Sequence, residues 1–125
     1  MRVYLASRLR NRSRCRDYRD ALEAAGHTVT STWIDEPYGM TPHDDIARRD
    51  LVDVRRANTL ILVGHCGRNG GCATELGIAL ERGMRVLHVA AERGDNVFTH
   101  TPEVAYHRTF ADALASLPQR RKTAA

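Results

Sequence analysis

The run Thr59-Leu60-Ile61-Leu62-Val63 constrains the fold more than any other stretch of this chain. It lacks polar–apolar alternation, so a strand formed here is covered on both faces. Such a strand belongs in a parallel sheet with helices on either side. The flanking sequence supplies partners for it. Residues 2–6 read as a short apolar strand. Residues 11–25 carry Tyr18, Leu22 and Ala25 at helical spacing and end at Gly26, a helix stop. Residues 27–33 are β-rich and read as a second strand. Pro37 and Gly39 place a loop at 36–40, and a helix follows over 43–56. A glycine-rich loop at 64–71 leads to a helix at 74–82 closed by Gly83. A fourth strand at 85–89, a short strand at 104–106 and a helix at 110–117, stopped by Pro118, complete the pattern.

Strands alternating with helices predict an α/β fold. Right-handed crossovers make it a doubly wound, flavodoxin-like (Rossmann-like) three-layer sandwich with a parallel sheet of about five strands. Ligands of such folds bind beyond the carboxyl ends of the strands, which singles out the loops after Ala6, Trp33, Val63 and Val89.

A chain of 125 residues fits one domain, assigned to 1–118. Residues 119–125 hold Arg120, Arg121 and Lys122 and are expected to form a disordered basic tail. A domain of this size buries about two-thirds of its unfolded surface, so it needs no disulfide or metal to fold. No apolar run approaches the ~20 residues of a membrane span. The sequence opens directly into a strand pattern with no leader-like segment. The expectation is a soluble, cytoplasmic protein with no membrane partner. Cys15, Cys66 and Cys72 are an odd set without framework spacing and are expected as reduced thiols. They lack the short Cys-x-x-Cys pairs of zinc sites, so no metal and no cofactor is expected.

The formal net charge of +4 favours anionic partners. Aromatic residues are only 6% of the chain, thin for a surface that stacks successive bases, which counts against nucleic acid. A phosphorylated small molecule suits the early arginines at least as well. Ser7-Arg8-Leu9-Arg10-Asn11-Arg12-Ser13 follows the first strand and opens a helix, a combination of hydroxyl, guanidinium and helix N–H groups that suits a phosphate. Ser7 and one or two of Arg8, Arg10 and Arg12 are the candidates. The other arginines read as a solvated helix face paired with Asp17, Asp20 and Glu23. Trp33 ends the second strand near the same edge and is either a base-stacking platform or a core or dimer-interface anchor. The six histidines show no triad spacing, and no role is assigned to them.

The loop after the central strand is the most informative. Gly64, Gly67, Gly70 and Gly71 lead into Cys72-Ala73-Thr74-Glu75-Leu76-Gly77. A helix beginning at Thr74 puts Glu75 in its first turn, where backbone N–H groups favour an ionised carboxylate. A carboxylate there can attack an anomeric carbon, or can simply complement the helix dipole.

At this point the sequence resembles a known family. Tyr4-Leu5-Ala6-Ser7, Arg49-Asp50-Leu51 followed by Arg56-Ala57-Asn58, and Gly70-Gly71-Cys72-Ala73-Thr74-Glu75-Leu76-Gly77-Ile78-Ala79 look like the motifs of the nucleoside 2-deoxyribosyltransferases and their relatives, the 2'-deoxynucleoside 5'-phosphate N-hydrolases. Asn96-Val97-Phe98 looks like the corresponding stretch of small members. The resemblance spans roughly residues 1–117 and implies double displacement at C1' of a pentosyl group. It makes Glu75 the nucleophile that forms a covalent glycosyl-enzyme, Asp50 the acid facing the leaving base, and Tyr4 the hydroxyl that orients Glu75. From the sequence, Asp44, Asp45 and Asp53 remain rivals for the acid, and Asp50 itself can be a surface charge paired with an arginine. Transferases of the family carry a second acid before the nucleophile. Asn69 takes that place here, beside Gly70 and Gly71, and an amide cannot exchange protons with an acceptor base.

The expected activity is therefore cleavage of the base–sugar bond in (deoxy)nucleoside 5'-monophosphates. Base exchange by a deoxyribosyltransferase is one alternative. A non-catalytic nucleotide-binding or sensing module is another, and cleavage of a dinucleotide such as NAD ranks last. Expected partners are a small nucleoside or nucleotide and, from the resemblance, a second copy of the chain in a homodimer or higher homo-oligomer.

Overall fold

The computed structural model describes residues 1–36, 39, 41–67 and 70–118. Asn69 and the expected tail at 119–125 lie outside the described residues. Five parallel strands form one sheet: β1 (Arg2–Ser7), β2 (Thr28–Val29), β3 (Thr59–Val63), β4 (Arg85–Val89) and β5 (Val104–His107). Their order is β2-β1-β3-β4-β5, the flavodoxin-like order expected from the alternation. β3 lies between β1 and β4, Tyr4 opposite Leu60 and Ile61 opposite Leu87, and all five of its residues are buried. The unbroken apolar run thus occupies the centre of the sheet.

Among the described residues four helices cover the sheet: α1 (Arg12–Ala24), α2 (His43–Arg56), α3 (Gly70–Glu81) and α4 (Phe110–Ser116). α1 packs on β1 and β2, α4 on β4 and β5, and Tyr18 of α1 stacks on Phe110 of α4 with ring centroids 3.9 Å apart. α2 and α3 pack on each other and on β1. Gly26, at φ 92°, ends α1 because the turn into β2 needs a left-handed residue. Thr109 caps α4 by accepting the Asp112 N–H at 3.2 Å.

Three expectations change. The second strand is only Thr28–Val29 rather than 27–33. Beyond Val29 side chains take over the edge of β1: Ser31 Oγ accepts the Leu5 N–H at 2.8 Å, and the Trp33 indole N–H donates to the Leu5 carbonyl at 2.8 Å. Trp33 then opens a 3₁₀ turn, Trp33–Asp35, instead of ending a strand. The third helix begins at Gly70, four residues before the expected Thr74, and the Thr74 hydroxyl donates back to the Gly70 carbonyl at 2.6 Å. The cysteines are not all thiols. Cys66 and Cys72 form a disulfide, their Cα atoms 5.4 Å apart, because the β3–α3 loop folds back onto the first turn of α3; Cys15 is free and buried. Among the described residues no helix is long and apolar enough to cross a membrane, and no group of three or more His, Cys, Asp or Glu is arranged to hold a metal ion.

Candidate active site

The strand order reverses between β1 and β3, so their crossovers leave in opposite directions and open a crevice at the carboxyl edge. A cavity of about 540 Å³ lies there. Tyr4, Asp50 and Glu75 line it together, from β1, α2 and α3. Ser7, Leu9, Arg12, Trp33, Glu36 and Arg49 line it too, with Thr41, His43, Gly71 and Cys72.

The Tyr4 hydroxyl donates to Glu75 Oε2, a bond joining positions 71 residues apart. Tyr4 is fully buried, fixed by the β1–β3 ladder, so its hydroxyl is a rigid donor. Glu75 lies in the second turn of α3, not the first, because the helix starts early. The helix dipole fades beyond the first turn, and burial dominates instead. Burial pushes the Glu75 carboxyl up to about 7; the Tyr4 hydrogen bond pulls it down, and the charges of Asp50 and Asp53 push it further up. The ionised form expected from the dipole is therefore present in quantity only near and above neutrality. Tyr4 is raised in turn, chiefly by burial and then by Glu75 and Asp50, so it stays a neutral donor.

Asp50 faces the cavity from the middle of α2. Burial raises its carboxyl above the usual range, with Asp53 and Glu36 adding to the rise and Arg49 opposing it. Arg49 holds Asp50 Oδ1 at 3.2 Å and also pairs with Glu36, whose other oxygen accepts from Thr41. Asp50 is thus both a cavity acid and the partner of a neighbouring arginine, so the two readings open from sequence coincide. Asp44 and Asp45 are exposed in the first turn of α2, and Asp44 is 3.9 Å from Arg48. Asp53 is buried and bonded to Thr32. Of the four aspartates, Asp50 is the one on the cavity wall.

The arginine-rich segment separates by position. Arg12 lines the cavity, and its buried Nε has no hydrogen-bond partner among the described residues. Arg10 is exposed on the 3₁₀ turn Leu9–Asn11. Arg8 lies against Gly67 instead of on the cavity wall: a Cβ at Gly67, which has φ 58°, would stand 3.2 Å from the Arg8 Cζ. The Ser7 hydroxyl donates to the Val63 carbonyl at 2.7 Å and accepts from Asn11 Nδ2 at 2.8 Å, so its proton serves the β1–β3 edge. Trp33 is 8% exposed, with its indole N–H spent on Leu5, which makes it a core anchor that shows an edge to the cavity. Gly71 lines the cavity, whereas Gly70 is exposed at the start of α3.

The sequence reading missed Glu36, Thr41 and His43. Their only sequence signal is proximity to a loop at the sheet edge. Glu36 is linked to the site through Arg49, a residue 13 positions away.

Two features of this geometry bear on comparison with known proteins: the β2-β1-β3-β4-β5 order and the tyrosine–glutamate–aspartate crevice at its reversal point. No family model and no curated protein sequence matches the chain. Solved structures do match its fold. A 2-deoxyribosyltransferase from Bacillus psychrosaccharolyticus superposes with a TM-score of 0.71 at 23% identity, covering 96% of this chain and 98% of that one. A CMP N-glycosidase from Clostridium botulinum gives 0.64 at 17% identity, with coverage of 92% and 96%. A conserved protein from Enterococcus faecalis gives 0.60 at 14% identity, with coverage of 92% and 95%. The chain shares its fold with these proteins over more than nine-tenths of its length.

Proposed function

We propose that the chain is an N-glycosidase of (deoxy)nucleoside 5'-monophosphates and a divergent relative of the deoxyribosyltransferases. The observation that carries this reading is the Tyr4–Glu75 hydrogen bond in the crevice, with Asp50 on the same cavity. Glu75, when ionised, attacks C1' of the bound sugar as the base departs. Asp50 gives its proton to the leaving base; a water, yielding a proton to the Asp50 carboxylate, then displaces Glu75 from C1' and releases the sugar phosphate with retention. Burial raises the Asp50 carboxyl, so it holds its proton more readily than an exposed aspartate does, as a donor to the base requires. Tyr4 stays protonated and steadies the nucleophile's orientation.

Arg12 supports the phosphate assignment, since its side chain lines the cavity and its buried Nε–H has no hydrogen-bond partner among the described residues. Arg8, Arg10, Ser7, Gly70 and Gly71 have weaker claims to phosphate contact. Water rather than a second base is the proposed acceptor, a choice resting on Asn69 in the sequence. The solved neighbours are a transferase and a glycosidase, and base exchange is the second reading.

The test is to incubate pure protein with a panel of nucleosides and 5'-monophosphates and to measure free base. Release from monophosphates is expected, and Glu75→Ala should lower it by ~10⁴-fold or more, as loss of a nucleophile does. Intact substrates throughout, at enzyme concentrations matching the substrate, overturn the reading. Exchange products on addition of a second free base convert it to the transferase.

A further inference from the structure

Successive residues on a helix do not face each other, so nothing intrinsic to α2 pairs Arg49 with Asp50. Arg48 shows the ordinary arrangement, reaching back one turn to Asp44. Arg49 departs from it. Its Nη2 and Nε donate to Asp50 Oδ1 at 3.2 Å and 3.4 Å, and its Nη1 donates to Glu36 Oε2. The other oxygen of Glu36, Oε1, accepts from the Thr41 hydroxyl. Three links therefore run from Thr41 through Glu36 and Arg49 to Asp50, and all four residues line the cavity. The side chains of Glu36, Arg49 and Asp50 are 20%, 24% and 25% exposed, so water screens this chain less than it screens a surface pair.

The atoms used in the chain separate the roles of its members. Both oxygens of Glu36 are engaged by protein donors, which makes it an anchor. All three guanidinium nitrogens of Arg49 are engaged as well. Asp50 is different: both of its bonds fall on Oδ1, and its Oδ2 makes no hydrogen bond among the described residues. We propose that Glu36 is a positioning residue for the acid: braced by Thr41, it draws the Arg49 guanidinium across the helix onto Asp50 Oδ1, so that Oδ2 carries the proton given to the leaving base. This deepens the reading of Asp50 given above and rests on it. The proton passes from Oδ2 to a nitrogen of the base as the C1'–N bond breaks and the Glu75–C1' bond forms. The carboxylate left on Asp50 is already paired with Arg49, with no side chain needing to move.

The anchor is read without turnover, by nitrogen-15 NMR of the Arg49 guanidinium, assigned by its loss in Arg49→Lys. Held from both sides, the guanidinium does not rotate freely about Nε–Cζ, so wild type should give separate signals for its two Nη groups. Glu36→Ala should merge them. With the 5'-monophosphate that wild type cleaves best, Glu36→Ala should lower kcat by roughly 10–100-fold and leave KM within about twofold. With a p-nitrophenyl deoxyriboside 5'-phosphate, whose nitrophenolate departs without a proton, the same variant should lose less than about threefold. A variant that merely damaged the fold would lose both activities together. Thr41→Val, which leaves both charges in place, should show the same pattern with a loss of about threefold on the monophosphate, and it replaces Glu36→Ala should that variant not fold. Separate Nη signals persisting in Glu36→Ala, or an equal loss on the two substrates, overturns the proposal. If wild type cleaves neither substrate, the functional reading fails, and the guanidinium signals alone decide whether Glu36 anchors Arg49.

Discussion

The carboxyl edge of the sheet has two halves that differ sharply. Over β1 and β3 it is open, polar and acidic, with Glu75, Asp50 and Tyr4 around a cavity. Over β4 and β5 it is filled. His65 packs edge-on against His88 with centroids 5.5 Å apart, His88 tilts onto Tyr106 at 5.7 Å, and Arg93 lies over the Tyr106 ring at 5.9 Å. Gly94 is pressed so near the His65 ring that an added Cβ would stand 2.7 Å from it. His88 is fully buried, its Nε2 at 2.8 Å from the Gly64 carbonyl, and burial lowers its proton affinity, so it remains a neutral packing residue. The cause is topological. Successive strands β3, β4 and β5 run outward in one direction, so the loop after β4 folds over the edge, whereas the reversal at β1 and β3 leaves a gap. Titratable side chains alone do not mark a site; the half with more histidines is the closed one.

Substitutions in the two halves should therefore differ in kind. In the open half, Asp50→Asn should reduce base release by ~10²–10³-fold while preserving the melting temperature, measured by product assay and calorimetry. Arg12→Ala should raise KM for monophosphates by roughly tenfold or more and leave unphosphorylated nucleosides unaffected, a split that steady-state kinetics reads directly. Tyr4→Phe removes the hydrogen bond that lowers the Glu75 carboxyl, so its proton affinity rises further. The acid limb of kcat/KM, set near 7 in wild type, should then move to higher pH, with a rate loss of about tenfold at neutrality. In the closed half, His65→Ala should change base release by less than about twofold and shift the melting temperature by no more than about two degrees, because His65 is exposed. A catalytic collapse in that variant would erase the distinction between the halves.

Much of this was legible in the sequence, for physical reasons that differ by element. The 59–63 run specified a central strand because only full burial tolerates five such residues together. Glu75 and Tyr4 were legible through motif resemblance, and the bond between them joins β1 to α3. The end of β2 was not legible, since β-propensity at Thr30 and Thr32 is overridden by hydrogen bonds to Asp53, a residue on another element. The start of α3 was misplaced because glycines were read as loop, although Gly70 and Gly71 lie in the helix. That displacement also reversed the electrostatics expected for Glu75. The Cys66–Cys72 bridge and the Glu36–Arg49–Asp50 chain depend on how loops fold back, which local sequence does not encode.

The central claim is that Glu75 bonds covalently to the sugar. Its most direct test is mass analysis of protein quenched in acid during turnover of a deoxynucleoside monophosphate, followed by peptide mapping. The account predicts a deoxyribosyl phosphate adduct on the α3 peptide, at Glu75, that is absent from Glu75→Gln. Release of base with the protein unmodified, and with Glu75→Gln still active, would contradict it.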